Sequence, residues 1–229
     1  MRLRVAQRLV AIAVLLGIVV AGSVVSLGAT IRVPDDHRTL EQALRAANRN
    51  DIIEITRTIA VRDNVDVRNI RDVTVRYDGF FNRMATIQGR RDTEPVIKLT
   101  NCRNITFENI TIQSGSVGLN IIDGDNIVFR ECVIQKNVGA GVVGTGIVLE
   151  DTQVIDNLGW GIELIGDPDN QGSVGRTGQI SLETLQVIET GSDEAQMLLE
   201  GATIARNREG GMRIQKAIAI VEASLFNEN

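Results

Sequence analysis

The 229-residue sequence predicts an all-β solenoid: a parallel β-helix of three short strands per coil, closed at its N-terminal end by one capping helix. Three observations carry this expectation. Six segments read as variations on one phrase, beginning at Ile105, Ile127, Ile147, Ile180, Met197 and Ala219, and their shared Glu/Arg column (108, 130, 150, 183, 200, 222) recurs at spacings of 22, 20, 33, 17 and 22. Within each segment the apolar alternation changes parity at one fixed position, and turn residues follow at fixed places. Finally, 43% of residues are hydrophobic but only 3% are aromatic, a balance that suits Val- and Ile-rich strands buried by stacking.

From the N-terminus, Met1–Arg8 is basic and Leu9–Val25 is a nearly unbroken apolar run. Small residues around Ser26-Leu-Gly-Ala29 then offer a cleavage point, so residues 1–28 are expected to form a secretory signal peptide, with an uncleaved membrane anchor as the alternative. Residues 29–229 form the solenoid domain, placed in a secreted, periplasmic or cell-surface setting. Thr30-Ile-Arg-Val33 begins strand structure. Leu40, Ala43, Leu44 and Ala47 follow helical spacing, and Thr39 with Gln42 forms a capping-box pattern. A helix over 39–47 would cover the first coil, whose strand edge and core otherwise face solvent.

Strands resume at Asp51-Ile-Ile-Glu-Ile55. In the clearest coil Ile105, Phe107, Ile110 and Ile112 point inward, so the chain bends at Asn109, as at Glu131, Asp151, Thr184, Gly201 and Ala223. Asn137, Asn157, Asn207 and Asn229 fall on the next corner, where stacked amides can bond one another. Gly118, Gly141, Gly161 and Gly211 open the third strand, with Leu119/Ile121, Val142, Ile162/Leu164 and Met212/Ile214 inward. Cys132 falls in the inward Ile110/Thr152 column and Cys102 in a turn before a strand, so the two are expected to face different places as free thiols without a catalytic role. Asn229 ends the sequence on a corner position, and an uncovered last coil invites end-to-end self-association or belongs to a longer β-helix.

Thr30-Ile-Arg-Val-Pro-Asp-Asp36, the amphipathic 39–47 stretch, Asp72-Val-Thr-Val-Arg76, Ala85-Thr-Ile-Gln-Gly89, Pro95-Val-Ile-Lys-Leu99 and Asn104-Ile-Thr-Phe-Glu-Asn-Ile-Thr-Ile112 resemble the opening of pectin-lyase-like right-handed parallel β-helix proteins. The resemblance spans residues 30–229. It implies a right-handed, single-stranded parallel β-helix, and a scaffold shared by polysaccharide lyases, hydrolases, epimerases, binding modules and accessory proteins. It also implies that substrate lies along the groove outside the third strand of each coil as numbered here.

Mapped onto this chain, the groove carries Lys98, Asn120, Val143, Glu163 and Arg213, with Gln215 one step on. Such a row can hold hydroxyls or uronate carboxylates by charge-assisted hydrogen bonds, or be ordinary solvated strand surface. Trp160, the sole tryptophan, stands beside the groove and can stack on a sugar ring or pack on the neighbouring loop. The spacing of 33 places an insertion at Gly166–Gly178, where Asp167 and Asp169, with Asp123 and Asp125 at the same corner two coils earlier, offer hard oxygen ligands for Ca²⁺ or simply turn chemistry.

Catalysis finds little support in the residues. The sole histidine, His37, lies in the cap region. Neither the Gly-His-Gly of polygalacturonase-like hydrolases nor the histidine of the epimerases' Asp-Pro-His-Asp is present. Glu163, Asp167, Asp169 and Arg213 are the catalytic candidates that remain. A net charge of -5 leaves no basic field for nucleic acid. The expectation is therefore non-catalytic binding of an extracellular polysaccharide or surface protein, with no required cofactor and Ca²⁺ as an option. The alternatives are a polysaccharide lyase, hydrolase or epimerase, and an accessory repeat protein that docks other proteins.

Overall fold

The structure, a computed structural model, describes residues 28–77, 79, 84–90, 92–165, 195–215 and 217–229. The proposed signal peptide, the 166–178 loop and the 180–190 segment lie outside the described residues. Chain direction and pairing build a triangular coil with three parallel sheets. The first sheet holds Thr30–Val33, Ile52–Ile55, Arg71–Arg76, Arg103–Glu108, Asp125–Arg130, Ile147–Glu150, Ala195–Glu200 and Ala217–Glu222. The second runs through Ile59–Ala60, Ala85–Gln88, Ile110–Gln113, Val133–Gln135, Gln153–Ile155, Thr203–Ala205 and Leu225–Asn227. Val65–Arg68, Ile97–Thr100, Leu119–Ile122, Val142–Gly144, Trp160–Ile165 and Gly210–Gln215 form the third. Each full coil visits the three in that order.

The inward residues stack into columns that run the length of the molecule. Val75, Phe107, Phe129, Leu149, Leu199 and Val221 share one register. Within it the Phe107 and Phe129 rings are 4.8 Å apart and inclined by 7°, one coil rise between stacked faces. Such a pair contributes about 0.5–1.5 kcal/mol beyond the area it buries. The columns end exposed in the last described coil, at Ile214 (48%), Val221 (46%) and Phe226 (42%).

Helix α1 spans Leu40–Ala46 and buries Leu40, Ala43 and Leu44. Thr39 is its N-cap, accepting the Gln42 amide at 3.2 Å. Arg45 pairs with Glu41 one turn earlier and donates through Nη2 to the carbonyl of Asp66 at 2.8 Å. The helix is thereby tied to the outermost strand of the third sheet, and the lid expected from the sequence sits over the first coil. It is the one helix among the described residues, and none of them forms a helix long and apolar enough to cross a membrane.

The corners explain the parity change. Asn109, Glu131, Asp151, Gly201 and Ala223 all have φ between 44° and 61°. The amides of the first four still donate to the next coil, as Asn109 does to the Arg130 carbonyl, so the ladder continues through the bend. At the second corner the expected amide stack is present and buried. Nδ2 of Asn137 donates to Oδ1 of Asn157 at 2.9 Å, Asn157 to Asn207 at 2.9 Å and Asn207 to Asn229 at 3.1 Å. The glycine column beside it is required by that stack. A Cβ on Gly118, Gly141, Gly161 or Gly211 would lie 2.7–2.9 Å from an asparagine Nδ2.

One expectation fails. Leu149 pairs directly with Leu199, and Asn157 bonds Asn207 across 50 residues of sequence. The spacings of 33 and 17 therefore separate two strands that pair directly, Ile147–Glu150 and Ala195–Glu200, rather than marking two successive pairings. Two-residue alternation says that a segment has an apolar face but not which strand it pairs with.

The cysteines also depart from expectation, since both are buried in the same core. The Cys132 thiol faces the carbonyls of Arg130 and Phe107 at 3.3 and 3.5 Å, and burial pushes its pKa up to about 12. Burial raises that of Cys102 as well. Neither offers a thiolate nucleophile at neutral pH. One coil on from Cys132, Thr152 uses its hydroxyl for the same job, facing the carbonyls of Phe129 and Glu150 at 2.8 and 2.9 Å while accepting the Cys132 amide.

The outer faces differ in charge. On the first sheet the row Arg32, Glu54, Arg76, Glu108, Arg130, Glu150, Glu200 and Glu222 is charged at every step. Arg130 bridges Glu108 at 2.8 Å and Glu150 at 2.6 Å. Beside that row Val128, Val148 and Leu198 form a separate, solvent-excluded apolar cluster. The second sheet carries two outward rows, Thr86/Thr111/Val133/Gln153/Thr203/Leu225 and Gln88/Gln113/Gln135/Ile155/Ala205/Asn227.

Candidate functional site

The third sheet presents the groove row. Register pairs Asp66 with Lys98, Lys98 with Asn120, Asn120 with Val143, Val143 with Glu163 and Glu163 with Arg213. Lys98, Asn120, Glu163 and Arg213, scattered over more than a hundred residues of sequence, therefore form one straight line. At about 4.8 Å per coil, Lys98 and Arg213 stand roughly 19 Å apart. Alternation fixes their direction, because the flanking Ile97, Leu99, Leu119, Ile121, Ile162 and Leu164 are all buried.

Each cation in the row has a carboxylate beside it. Lys98 Nζ lies 3.8 Å from Asp66 Oδ2, and Arg213 Nη1 lies 3.6 Å from Glu163 Oε1. At these lengths the pairs are loose, and the Arg213 side chain keeps 51% of its exposure. Between the two cations lie Asn120, a neutral donor and acceptor, the apolar Val143 and Glu163. The line thus offers two cations, two carboxylates able to accept from hydroxyls, and one neutral amide.

Trp160 opens its strand directly opposite Gly210. A Cβ on Gly210 would lie 2.3 Å from Cζ3 of the indole, so the ring occupies the space over that glycine. The indole thereby packs across the neighbouring coil. The ring stays half-buried at the corner beside the groove.

Several candidates are not brought together. The Asp125 carboxylate faces Arg103 at 3.8 Å, and Asp123 is exposed at a corner with φ of 52°. Among the described residues no group of three or more His, Cys, Asp or Glu side chains could hold a metal ion. Asp167, Asp169 and the Gln215 side chain lie outside the described residues. His37 sits in the turn before α1, its amide bonded to the Arg32 carbonyl at 3.3 Å.

Sequence reasoning missed Asp66, which begins the row and partners Lys98. The alternation Val65-Asp-Val-Arg68 matches Ile97-Lys-Leu-Thr100 and was the available signal. It also missed two exposed ladders at the third corner. Asn101 donates to Asn69 at 2.6 Å, and Asn126 donates to Asn104, which donates to Asp72, at 3.1 and 2.8 Å. The recurring spacing of three, Asn69/Asp72, Asn101/Asn104 and Asp123/Asn126, marks them in the sequence.

Fold and register define a right-handed parallel β-helix protein. The crystal structure of an alginate lyase from Paenibacillus sp. strain FPU-7 shares that fold, with a TM-score of 0.57 at 14% identity over 86% of this chain. This chain spans 65% of that protein's length. A double mutant of the periplasmic alginate epimerase AlgG matches with a TM-score of 0.43 at 13% identity, over 78% of this chain and 43% of that one. No family model matches the sequence, and no curated protein does.

Proposed function

We propose that this chain is a secreted or periplasmic β-helix protein that binds an acidic polysaccharide along the third-sheet row from Asp66 to Arg213, without turning it over. The observation that carries this reading is the row itself. Two cations about 19 Å apart, each beside a carboxylate, stand on a straight line set by strand register, with Asn120, Val143 and Glu163 between them. A polyuronate would meet Lys98 and Arg213 with its carboxylates and Asp66, Asn120 and Glu163 with its hydroxyls. The fold shared with an alginate lyase is compatible with such a ligand and does not by itself argue for it. Residues 1–28 would direct export.

The binding-only reading rests on the sequence, which lacks the Gly-His-Gly and Asp-Pro-His-Asp motifs of the catalytic relatives and carries its single histidine, His37, in the cap region. The test is a panel of alginate, pectate and hyaluronan, assayed for binding and for new unsaturated or reducing ends, with Ca²⁺ and with chelator. Binding at unchanged end-group content is the expected result. Turnover would replace this reading with the lyase, hydrolase or epimerase alternative at Glu163, Asp167, Asp169 and Arg213. Loss of binding in chelator would bring Ca²⁺ and the Asp123, Asp125, Asp167 and Asp169 group into the site. Absence of both binding and turnover would favour an accessory protein that docks other proteins.

A further inference from the structure

The second sheet is unlike the other two. Both of its outward rows, six positions each, lack a charged residue, although the matching row of the first sheet is charged at all eight steps. The chain has 24 Lys and Arg and 29 Asp and Glu to distribute, so the exclusion is local. The charges return at the corners that flank this face, as Glu131 and Asp151 on one side and the Asp156–Arg206 pair, 2.7 Å apart, on the other. What lies between is a neutral lane about 7 Å from row centre to row centre and roughly 24 Å long over five coil steps, in which Thr111, bonded to Met84, and Ala205 are buried.

We infer that this lane binds a single strand of a neutral, hydroxyl-rich polysaccharide. Its polar groups are amides and hydroxyls, which both donate and accept, as a sugar hydroxyl does. Gln135 Nε2 already donates to Gln113 Oε1 at 3.0 Å, so part of the amide row is aligned before any ligand arrives. Half-buried Val133 and Ile155 provide apolar ground for sugar C–H faces between exposed Gln88 and Gln153. A second copy of this chain is a poorer occupant. The lane offers a few hundred Å², well short of the roughly 800 Å² per partner of a stable interface. A charged polymer would give up its solvation here without meeting an opposite charge. This site is separate from the third-sheet row and does not depend on it.

Affinity electrophoresis in gels containing hydroxyethyl cellulose or glucomannan, and pull-down on insoluble cellulose, mannan and β-1,3-glucan, supply the test. The wild-type chain is expected to be retarded on at least one of these polymers, equally in 0.05 and 0.5 M salt. The double substitutions Gln135→Lys with Gln153→Lys, and Gln135→Glu with Gln153→Glu, should each weaken retention at least tenfold. Glu200→Gln with Glu222→Gln, on the first sheet, should leave it unchanged. If a double variant loses its cooperative melting transition, Gln153→Lys alone carries the test, with an expected loss of about threefold. Retention on none of the neutral polymers overturns the inference. So does tighter binding by the lysine pair with weaker binding by the glutamate pair, which marks an acidic ligand. A concentration-dependent dimer in light scattering that the same substitutions dissolve would assign the lane to a second copy instead.

Discussion

Replacing Asn157 by alanine should be among the most destabilising single changes in the chain. Its Oδ1 accepts from both the backbone amide and the Nδ2 of Asn137, at 3.1 and 2.9 Å, and its own Nδ2 reaches the Ile134 carbonyl and Asn207 Oδ1. Asn137, Asn157 and Asn207 are all essentially buried, at 0%, 1% and 1% exposure. Truncation strands two donors of Asn137 and one carbonyl where water does not reach. At about 1–3 kcal/mol for each orphaned group, a total near 3–5 kcal/mol is expected, and a melting temperature lower by roughly 10 °C. The control is Asn126→Ala. It removes a similar amide pair, to Asn104 at 3.1 Å, but an exposed one that water can replace. That change should cost no more than about 0.5 kcal/mol. Comparable losses at the two positions would show that the buried stack has no special role.

The second large effect concerns the ligand. Removing both cations of the third-sheet row by Lys98→Ala with Arg213→Ala should weaken binding of an acidic polysaccharide by about a hundredfold or more, since each charge-assisted contact contributes roughly 1.5–3 kcal/mol. Asp66 keeps Arg68 at 3.8 Å and Glu163 remains partly accessible to water, so the fold should be little affected. Titration of alginate oligosaccharides by calorimetry, at low and high salt, reads this directly. The wild-type affinity should fall with salt and the double variant's should be nearly flat. An unchanged affinity in the variant would remove the row from the binding site.

The sequence made the inside of this molecule legible and left much of its outside unread. Inward columns and corners could be assigned because burial demands a strict period of two and each bend demands a particular backbone region, whatever residue supplies it. Ala223 and Glu131 show the force of that demand, adopting positive φ with side chains that do not favour it. The Asn column was recognisable because a buried amide needs its own kind above and below. The direct pairing of Ile147–Glu150 with Ala195–Glu200 was not recognisable, because alternation is a local property and strand partnership is not. Asp66 was missed for a related reason: Val65–Arg68 has a short, weak pattern that only its register with Ile97–Thr100 makes significant. The neutral lane of the second sheet appears only when outward residues of successive coils are aligned, a comparison that needs the register in hand.

The central claim, that an acidic polysaccharide lies along the third-sheet row, is tested most directly by hydrogen–deuterium exchange with and without saturating alginate oligosaccharide. The account predicts slowed exchange concentrated in Ile97–Thr100, Leu119–Ile122, Trp160–Ile165 and Gly210–Gln215, with the strands of the first sheet unchanged. Protection confined to the first sheet, or no protection on any strand at a concentration where the ligand is bound, would contradict it.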